Sequence, residues 1–257
     1  MASTNSNSPY ITLEVLKQLK GSNKPMKLAD STGAKLSCKD TLVRTLALRR
    51  FLVREVLGSV QDEPRVGVFL PPTVPGAVTN LALTLAGRVC VNLNYTATST
   101  QLKQCCELAG LKHVITSRKF VEKVGLDVGA PTIFLEDIRD RITIGDKVFG
   151  LLNAKLRSAE SLHRSFGLDS KRGSDPLTII FTSGSTGFPK GVVLTSDNVL
   201  TNINGIGNAI NLSDRDTLLG ILPFFHSFGY TVTLWAPLCL KSLVRLSLQS
   251  LGGSANC

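Results

Sequence analysis

The nine residues from Thr182 to Lys190, TSGSTGFPK, carry groups suited to holding a polyphosphate. Gly184 and Gly187 permit left-handed backbone angles and let the main chain close on a ligand. Thr182, Ser183, Ser185 and Thr186 add hydroxyl donors, and successive backbone N–H groups can form an anion-binding nest. Lys190 supplies a mobile ammonium. Charge-assisted hydrogen bonds contribute about 1.5–3 kcal/mol each, so a few of them hold a triphosphate well. The pattern is not a Walker A loop, which needs G-x-x-x-x-G-K-[ST]; Lys190 here follows Pro189 and precedes Gly191. The plainer alternative is a flexible hairpin between two strands. So many hydroxyls, two glycines and a cation directly after an apolar run weigh against it.

Other reactive residue types are sparse. Three histidines occur, and a lone His is more often a satisfied structural residue than a catalyst; that reading stands for His113, on the strand-like HVIT, and for His163. Phe224, Phe225, Phe228 and Trp235, taken alone, read as core. Six cysteines (Cys38, Cys90, Cys105, Cys106, Cys239, Cys257) form no C-x-x-C pair and have no His at ligand spacing. Adjacent Cys105 and Cys106 fall in a helical pattern and point apart. This argues against a disulfide framework and against zinc, and for a reducing compartment.

The elements that must position these groups alternate between short apolar runs and helical segments. SCKDTLVRTLALRRFLVREVLG opens on the capping pattern Ser37-x-x-Asp40 and stops at Gly58; its apolar positions cover more than one stripe, so it packs on two sides. RVGVFL is a strand stopped by Pro71-Pro72, and a helix capped by Thr73 and stopped by Gly87 follows. VCVNL is the next strand, and Thr98-x-x-Gln101 starts a helix that ends at Gly110. HVIT and TIFL complete the first half. Continuously apolar strands separated by helices predict an α/β fold, with parallel-rich sheets covered by helices. Residues 137–174 read as mixed and polar, with DSKRGSDP as a surface linker. The strand LTIIFTS, the hydroxyl-rich loop and the strand GVVLT come next, both strands reading as buried. A helix capped at Ser196-Asp197 follows, then a strand, turn and helix across TLLGILPFFHSFGYTVTLWAPL.

With 257 residues, 43% apolar and 19% charged, the composition is that of an ordinary globular enzyme. The net charge of +10 is uneven: the first sixty residues hold ten Lys/Arg against four Asp/Glu. This favours anionic partners, either membrane headgroups or an acidic carrier protein, or simply a solvated basic face. Nucleic acid is disfavoured because no recognition motif accompanies the charge. The N-terminus lacks a basic region followed by an apolar core, and the longest weakly charged run is broken by Asn80, Gly87 and Arg88. The expected setting is cytoplasmic, with peripheral contact at a membrane surface.

FTSGSTGFPKGVVLT resembles the phosphate-binding signature of the adenylate-forming (AMP-dependent synthetase/ligase) superfamily, without a gap from Thr182 to Gly191. PFFHSFGYTVTLWAPL resembles the family's next motif, and VGVFLPPTVPGAVTNLALTLAGRVCVNLNYT its earlier strand–helix–strand unit. The likeness covers roughly Pro9 to Leu240 and is greatest to long-chain acyl–carrier-protein and acyl-CoA synthetases. It implies ATP-dependent activation of a carboxylic acid, expected to be a fatty acid, through an acyl-adenylate, then transfer to a thiol of a carrier protein or CoA. Thr182 to Lys190 would clamp the phosphates, with Lys190 and His226 catalytic. Phe225, His226 and Gly229 would line the acid site, and Mg²⁺ would bridge the phosphates.

The sequence departs from that pattern in one direction. It has no Gly–aromatic–Gly–x–Thr–Glu stretch, no Thr–Gly–Asp motif and no Arg-containing hinge. Residues 1–240 are expected to be part of the family's large domain, with the small C-terminal domain absent. Residues 241–257 stay unassigned, with a shifted reading frame or an alternative terminus as one explanation. The alternative to a ligase is a non-catalytic remnant that serves as a phosphate-binding or interaction module.

Overall fold

Capping and stop residues divide the chain into strands and helices largely where the sequence places them. The computed structural model describes residues 8–22, 26–183, 188–213, 216–240 and 245–248. The chain begins with α1 (Ile11–Lys20), β1 (Leu28–Asp30), β2 (Lys35–Leu36), α2 (Cys38–Glu55), β3 (Arg65–Phe69), α3 (Val74–Leu85), β4 (Val89–Asn92) and α4 (Ser99–Ala109). It continues through β5 (Val114–Thr116), α5 (Arg118–Val124), β6 (Thr132–Phe134), α6 (Leu135–Arg141), α7 (Ile144–Leu156) and α8 (Ala159–Ser165). Then come β7 (Pro176–Ser183), β8 (Pro189–Thr195), α9 (Ser196–Ala209), β9 (Thr217–Gly220), a π-helical stretch Gly229–Trp235, α10 (Ala236–Cys239) and β10 (Arg245–Leu248).

The caps explain the boundaries. The side chains of Ser37 and Thr73 accept from the backbone N–H groups of Asp40 and Gly76. Thr98 and Gln101 cap each other at the start of α4, and Gly110, at φ 59°, ends it. Helix α9 is capped by Thr195 in a box with Asn198, one residue before the expected Ser196.

Six strands form one sheet in the order β6-β5-β3-β4-β7-β8, all parallel except β8, which runs antiparallel to β7. Helix α3 packs into one apolar cluster with α1 and α2, whereas α4 packs into a second cluster with Phe69, Val91 and Ile179. Burial on both faces accounts for the unbroken apolar runs of β3 and β4. A smaller sheet has the order β2-β1-β10-β9, with β1, β10 and β9 parallel. Asp30 joins the two units: its Oδ2 accepts from Val74 N at 2.8 Å, at the head of α3.

Several expectations are corrected. The GVVLT run is not buried: β8 starts at Pro189, and Val192 and Val193 are 46% and 50% exposed. It occupies the sheet's edge and, among the described strands, pairs with β7 alone. The 137–174 region holds the three helices α6, α7 and α8. Phe228 is 62% exposed, whereas Phe224, Phe225 and Trp235 are buried. Residues 245–248, unassigned by sequence, form β10 between β1 and β9, with Leu246 level with Leu28 and Leu218. Among the described residues no helix is long and apolar enough to cross a membrane.

Helix α7 is held to α2 by a buried carboxylate. Asp146 accepts from Arg54 Nη1 at 2.7 Å, Arg54 Nη2 at 3.1 Å, Arg50 Nε at 3.2 Å and Thr143 Oγ1 at 2.8 Å. Burial alone pushes this carboxyl up, but the hydrogen bonds from Arg54 and Thr143 outweigh it and hold the group below the usual carboxylate range. Asp146→Ala should destabilise the chain by about 2–3 kcal/mol in urea unfolding, less than a fully buried pair because both guanidiniums reach solvent. Because the folded pKa is depressed, this contribution is complete above the unfolded value of about 4. It is lost as pH falls through the folded value, so the two stability curves should converge in acid.

Candidate active site

The hydroxyl-rich loop is carried by the β7–β8 hairpin. Residues Thr182 and Lys190 are direct cross-strand partners, as are Ser183 and Pro189, so both ends of the loop are fixed at one point. Both Thr182 and Lys190 are exposed, and Thr182 Oγ1 lies 3.5 Å from Lys190 O. Gly191 sits opposite Phe181. A Cβ there would lie 3.0 Å from Ile179 Cγ2 and 3.2 Å from the Phe181 ring, so glycine leaves room for that ring. The expected clamp residues Gly184, Ser185, Thr186 and Gly187, and the side chain of Ser183, lie outside the described residues.

A second group of residues gathers at the turn after β9. Phe224 is buried against the start of α3, where a Cβ on Gly76 would lie 3.6 Å from its ring. Phe225 is edge-on to Tyr95 with centroids 4.8 Å apart, and His226 is exposed with its ring 4.6 Å from Phe225. Tyr95 in turn meets Phe120, which meets Phe69, each at 5.3 Å. The Tyr95 hydroxyl is shielded and finds no hydrogen-bond partner among the described residues, and burial pushes its pKa up to about 12. Sequence reasoning missed Tyr95 and Phe120 as part of this wall. The signal available was the NLNYT end of β4, quoted above for its likeness but not read as a site.

Both groups stand at the same end of the sheet. Thr182 is at the carboxyl end of β7, and Tyr95 follows the carboxyl end of the adjacent β4; Tyr95 and Phe181 pack against one apolar cluster. The chain leaving β4 returns across β3 to β5, whereas the chain leaving β7 turns outward to β8. Strand ends where successive connections diverge are the usual ligand position in open α/β sheets. Among the described residues no hydrogen bond joins the hairpin to the turn. No set of three or more His, Cys, Asp or Glu among them could hold a metal. The other two histidines lie elsewhere: His113 Nδ1 is 2.7 Å from Glu63 Oε1, and His163 is buried, its pKa lowered by that burial.

The profile of AMP-binding enzymes matches residues 18–246. The chain belongs to that family. It is 31% identical over 208 residues to 4-coumarate–CoA ligase-like 9 of Oryza sativa subsp. japonica, covering 80% of this chain and 35% of that relative. The chain thus spans about a third of the length of that curated relative. ATP-bound MatB of Rhodopseudomonas palustris superposes with a TM-score of 0.65 at 24% identity, over 93% of this chain and 45% of MatB. A fatty acyl-adenylate ligase of L. pneumophila, in complex with acyl adenylate and pyrophosphate, gives 0.71 at 17% identity, over 94% and 40%. At these identities the two structures establish a shared fold, that of the large domain of adenylate-forming enzymes.

In this member of the AMP-binding family the turn depends on Gly229. A Cβ there would fall 2.1 Å from Pro223 O, inside the loop that His226 N closes by donating to Pro223 O at 3.2 Å. Gly229→Ala should force the turn open and cost about 2–3 kcal/mol in thermal or urea unfolding, with altered near-ultraviolet dichroism. Gly205 in α9 meets nothing within 4 Å. Gly205→Ala should instead stabilise by about 0.5–1 kcal/mol.

Proposed function

We propose that this chain supplies the phosphate-clamping and acid-facing part of an ATP-dependent acid–thiol ligase. The observation that carries the reading is the hairpin that fixes Thr182 opposite Lys190 at the same end of the sheet as the Tyr95–Phe225–His226 wall, where the connections diverge. In the first step a carboxylate oxygen of the acid attacks the α-phosphorus of ATP. The bond to the bridging oxygen breaks, giving acyl-adenylate and pyrophosphate. In the second, a thiolate attacks the acyl carbonyl and AMP leaves.

The first step needs the β- and γ-phosphates held in line and their charge offset, which is positioning and electrostatics. Lys190 supplies the cation; Thr182 to Gly187 supply hydroxyl and main-chain donors. His226, exposed on the rim of the aromatic wall, orients the carboxylate against the α-phosphate. Phe225 shields the reacting centre from water, with Gly229 setting the turn. The acid is a carboxylic acid of the fatty class and the acceptor is CoA or a carrier protein; both assignments rest on the family likeness. Mg²⁺ would travel with the nucleotide phosphates.

The 257 residues alone are inferred to hold nucleotide phosphates without completing adenylation, because no Gly–aromatic–Gly–x–Thr–Glu or Thr–Gly–Asp stretch is among them. Titration calorimetry with Mg-ATP tests the clamp. Saturable binding is expected, and Lys190→Ala should weaken it about tenfold or more, the worth of one charge-assisted contact. No binding by a folded chain would overturn the reading. Acid-dependent exchange of labelled pyrophosphate into ATP by the isolated chain would overturn the inferred inactivity alone.

A further inference from the structure

Helix α7 turns its apolar side outward. Its buried residues are Asp146 and Gly150, a carboxylate and a residue without a side chain. Its exposed residues include Ile144, Val148, Leu151, Leu152 and Leu156, of which Ile144 is 80% and Leu156 72% exposed. That spacing of four, three, one and four forms a single stripe along the helix. A helix on the surface of a globular protein normally buries such a stripe.

The contact with α2 fixes this orientation. A Cβ at Gly150 would stand 2.6 Å from Val43 O, so no leucine can take its place at the crossing. Asp146 is locked by Arg50, Arg54 and Thr143. Rotating α7 to bury its leucines would break that network and drive a side chain into the α2 backbone.

The stripe is bordered by cations. Asp146 is the helix's one acid, and its charge is taken up by the two arginines. Among the described residues, Lys147 and Lys155 within α7, and Arg157 directly after it, have no ion-pair partner. A depression of about 390 Å³ continues past the helix, lined by Arg157, Arg164 and serines, with Glu160 already paired to Lys17 at 3.7 Å. Two copies meeting through this face would bring these like charges together, which disfavours self-association. An apolar ridge flanked by unpaired lysines fits a surface that offers hydrocarbon beneath negative charge.

We propose that α7 is a docking surface for an anionic lipid bilayer. Ile144, Val148, Leu151, Leu152 and Leu156 enter the boundary between headgroups and acyl chains, while Lys147, Lys155 and Arg157 meet lipid phosphates. The ridge shares no element with the hairpin or the turn, so lipid binding and nucleotide binding can fail separately.

The test is co-sedimentation of the 257-residue chain with vesicles of phosphatidylcholine, alone or with about a third phosphatidylglycerol. The chain is expected to partition to the anionic vesicles, and added salt should weaken this. Each lysine near such a surface contributes about fivefold, so Lys147→Glu with Lys155→Glu should lower partitioning by more than about tenfold. Leu152→Glu with Leu156→Glu should do likewise, and both pairs should melt as the unmodified chain does because the replaced side chains are exposed. Amide hydrogen exchange across 144–156 of the unmodified chain should also slow on anionic vesicles, a readout that needs no variant. Equal partitioning of variants and unmodified chain would overturn the proposal, as would no partitioning and no protection. A dimer that forms without lipid and is lost in the leucine variant would assign the ridge to a second copy instead.

Discussion

The pairing of β7 with β4 is the contact on which the arrangement of the site depends. It brings together residues 88 positions apart, Cys90 and Thr178, and it is reinforced where Thr178 Oγ1 donates to Cys90 O at 2.6 Å. Both residues are fully buried, so that bond forms in a low-dielectric setting where an unmet donor is costly. Through it the hairpin is joined to the strand–helix–strand unit that carries Tyr95. The N-terminal segment then fastens the hairpin's base. Tyr10 Oη donates to Pro176 O at 3.0 Å, at the start of β7, and Ile11 N donates to Ser196 Oγ at 2.8 Å, just past β8. Ser8 adds a hydrogen bond to Asp197 and another from Gly173. The end of the hairpin that bears Lys190 and Thr182 is left to extend beyond these anchors.

The turn before the π-helical stretch solves a different problem. It must place two aromatic rings on opposite tasks within adjacent residues. Phe224 points into the main cluster against α3, while Phe225 faces Tyr95 and the end of β4. Reversing direction so tightly requires the backbone of residue 229 to pass over Pro223 O, which glycine alone permits. The π-helical stretch that follows buries Tyr230, Leu234 and Trp235 completely, anchoring the turn from behind. π-helical geometry within a helix often marks functional sites, and here it lies directly behind His226.

What the sequence made legible follows from whether a signal is local. Ser37, Thr73, Thr98 and Gly110 act on backbone groups within four residues, so their helices could be read directly. The apolar runs of β3 and β4 told of burial on both faces. The same apolar content misled at β8, because an edge strand and a central strand differ in their neighbours, not in their composition. Helix α7 was missed for a related reason: its apolar stripe is real but faces outward, so no core-facing pattern coincided with it. β10 was missed because Arg245–Leu248 gains its place only from β1 and β9, far off in sequence. In the site, Lys190 and the hydroxyls stood out by type and spacing. Tyr95 did not, since one tyrosine after a strand means little until Phe225 is brought against it.

The position of the proposed clamp on β8 carries its own physical logic. A group that closes on a triphosphate must be held accurately yet be free to move, and a strand buried on both sides cannot move without disturbing the core. An edge strand is constrained on one side only. Here β7 is tied into the sheet by Cys90 and Thr178, while β8, among the described strands, pairs with β7 alone and exposes Val192 and Val193. Such an edge is a liability, since its free N–H and C=O groups can pair with any passing strand. Lys190 and the Pro189 before it are also edge-protecting residue types, one charged and one lacking a donor. In the proposed function, phosphate recognition and protection of the edge would fall to neighbouring residues, a cation placed directly after proline on an otherwise apolar strand.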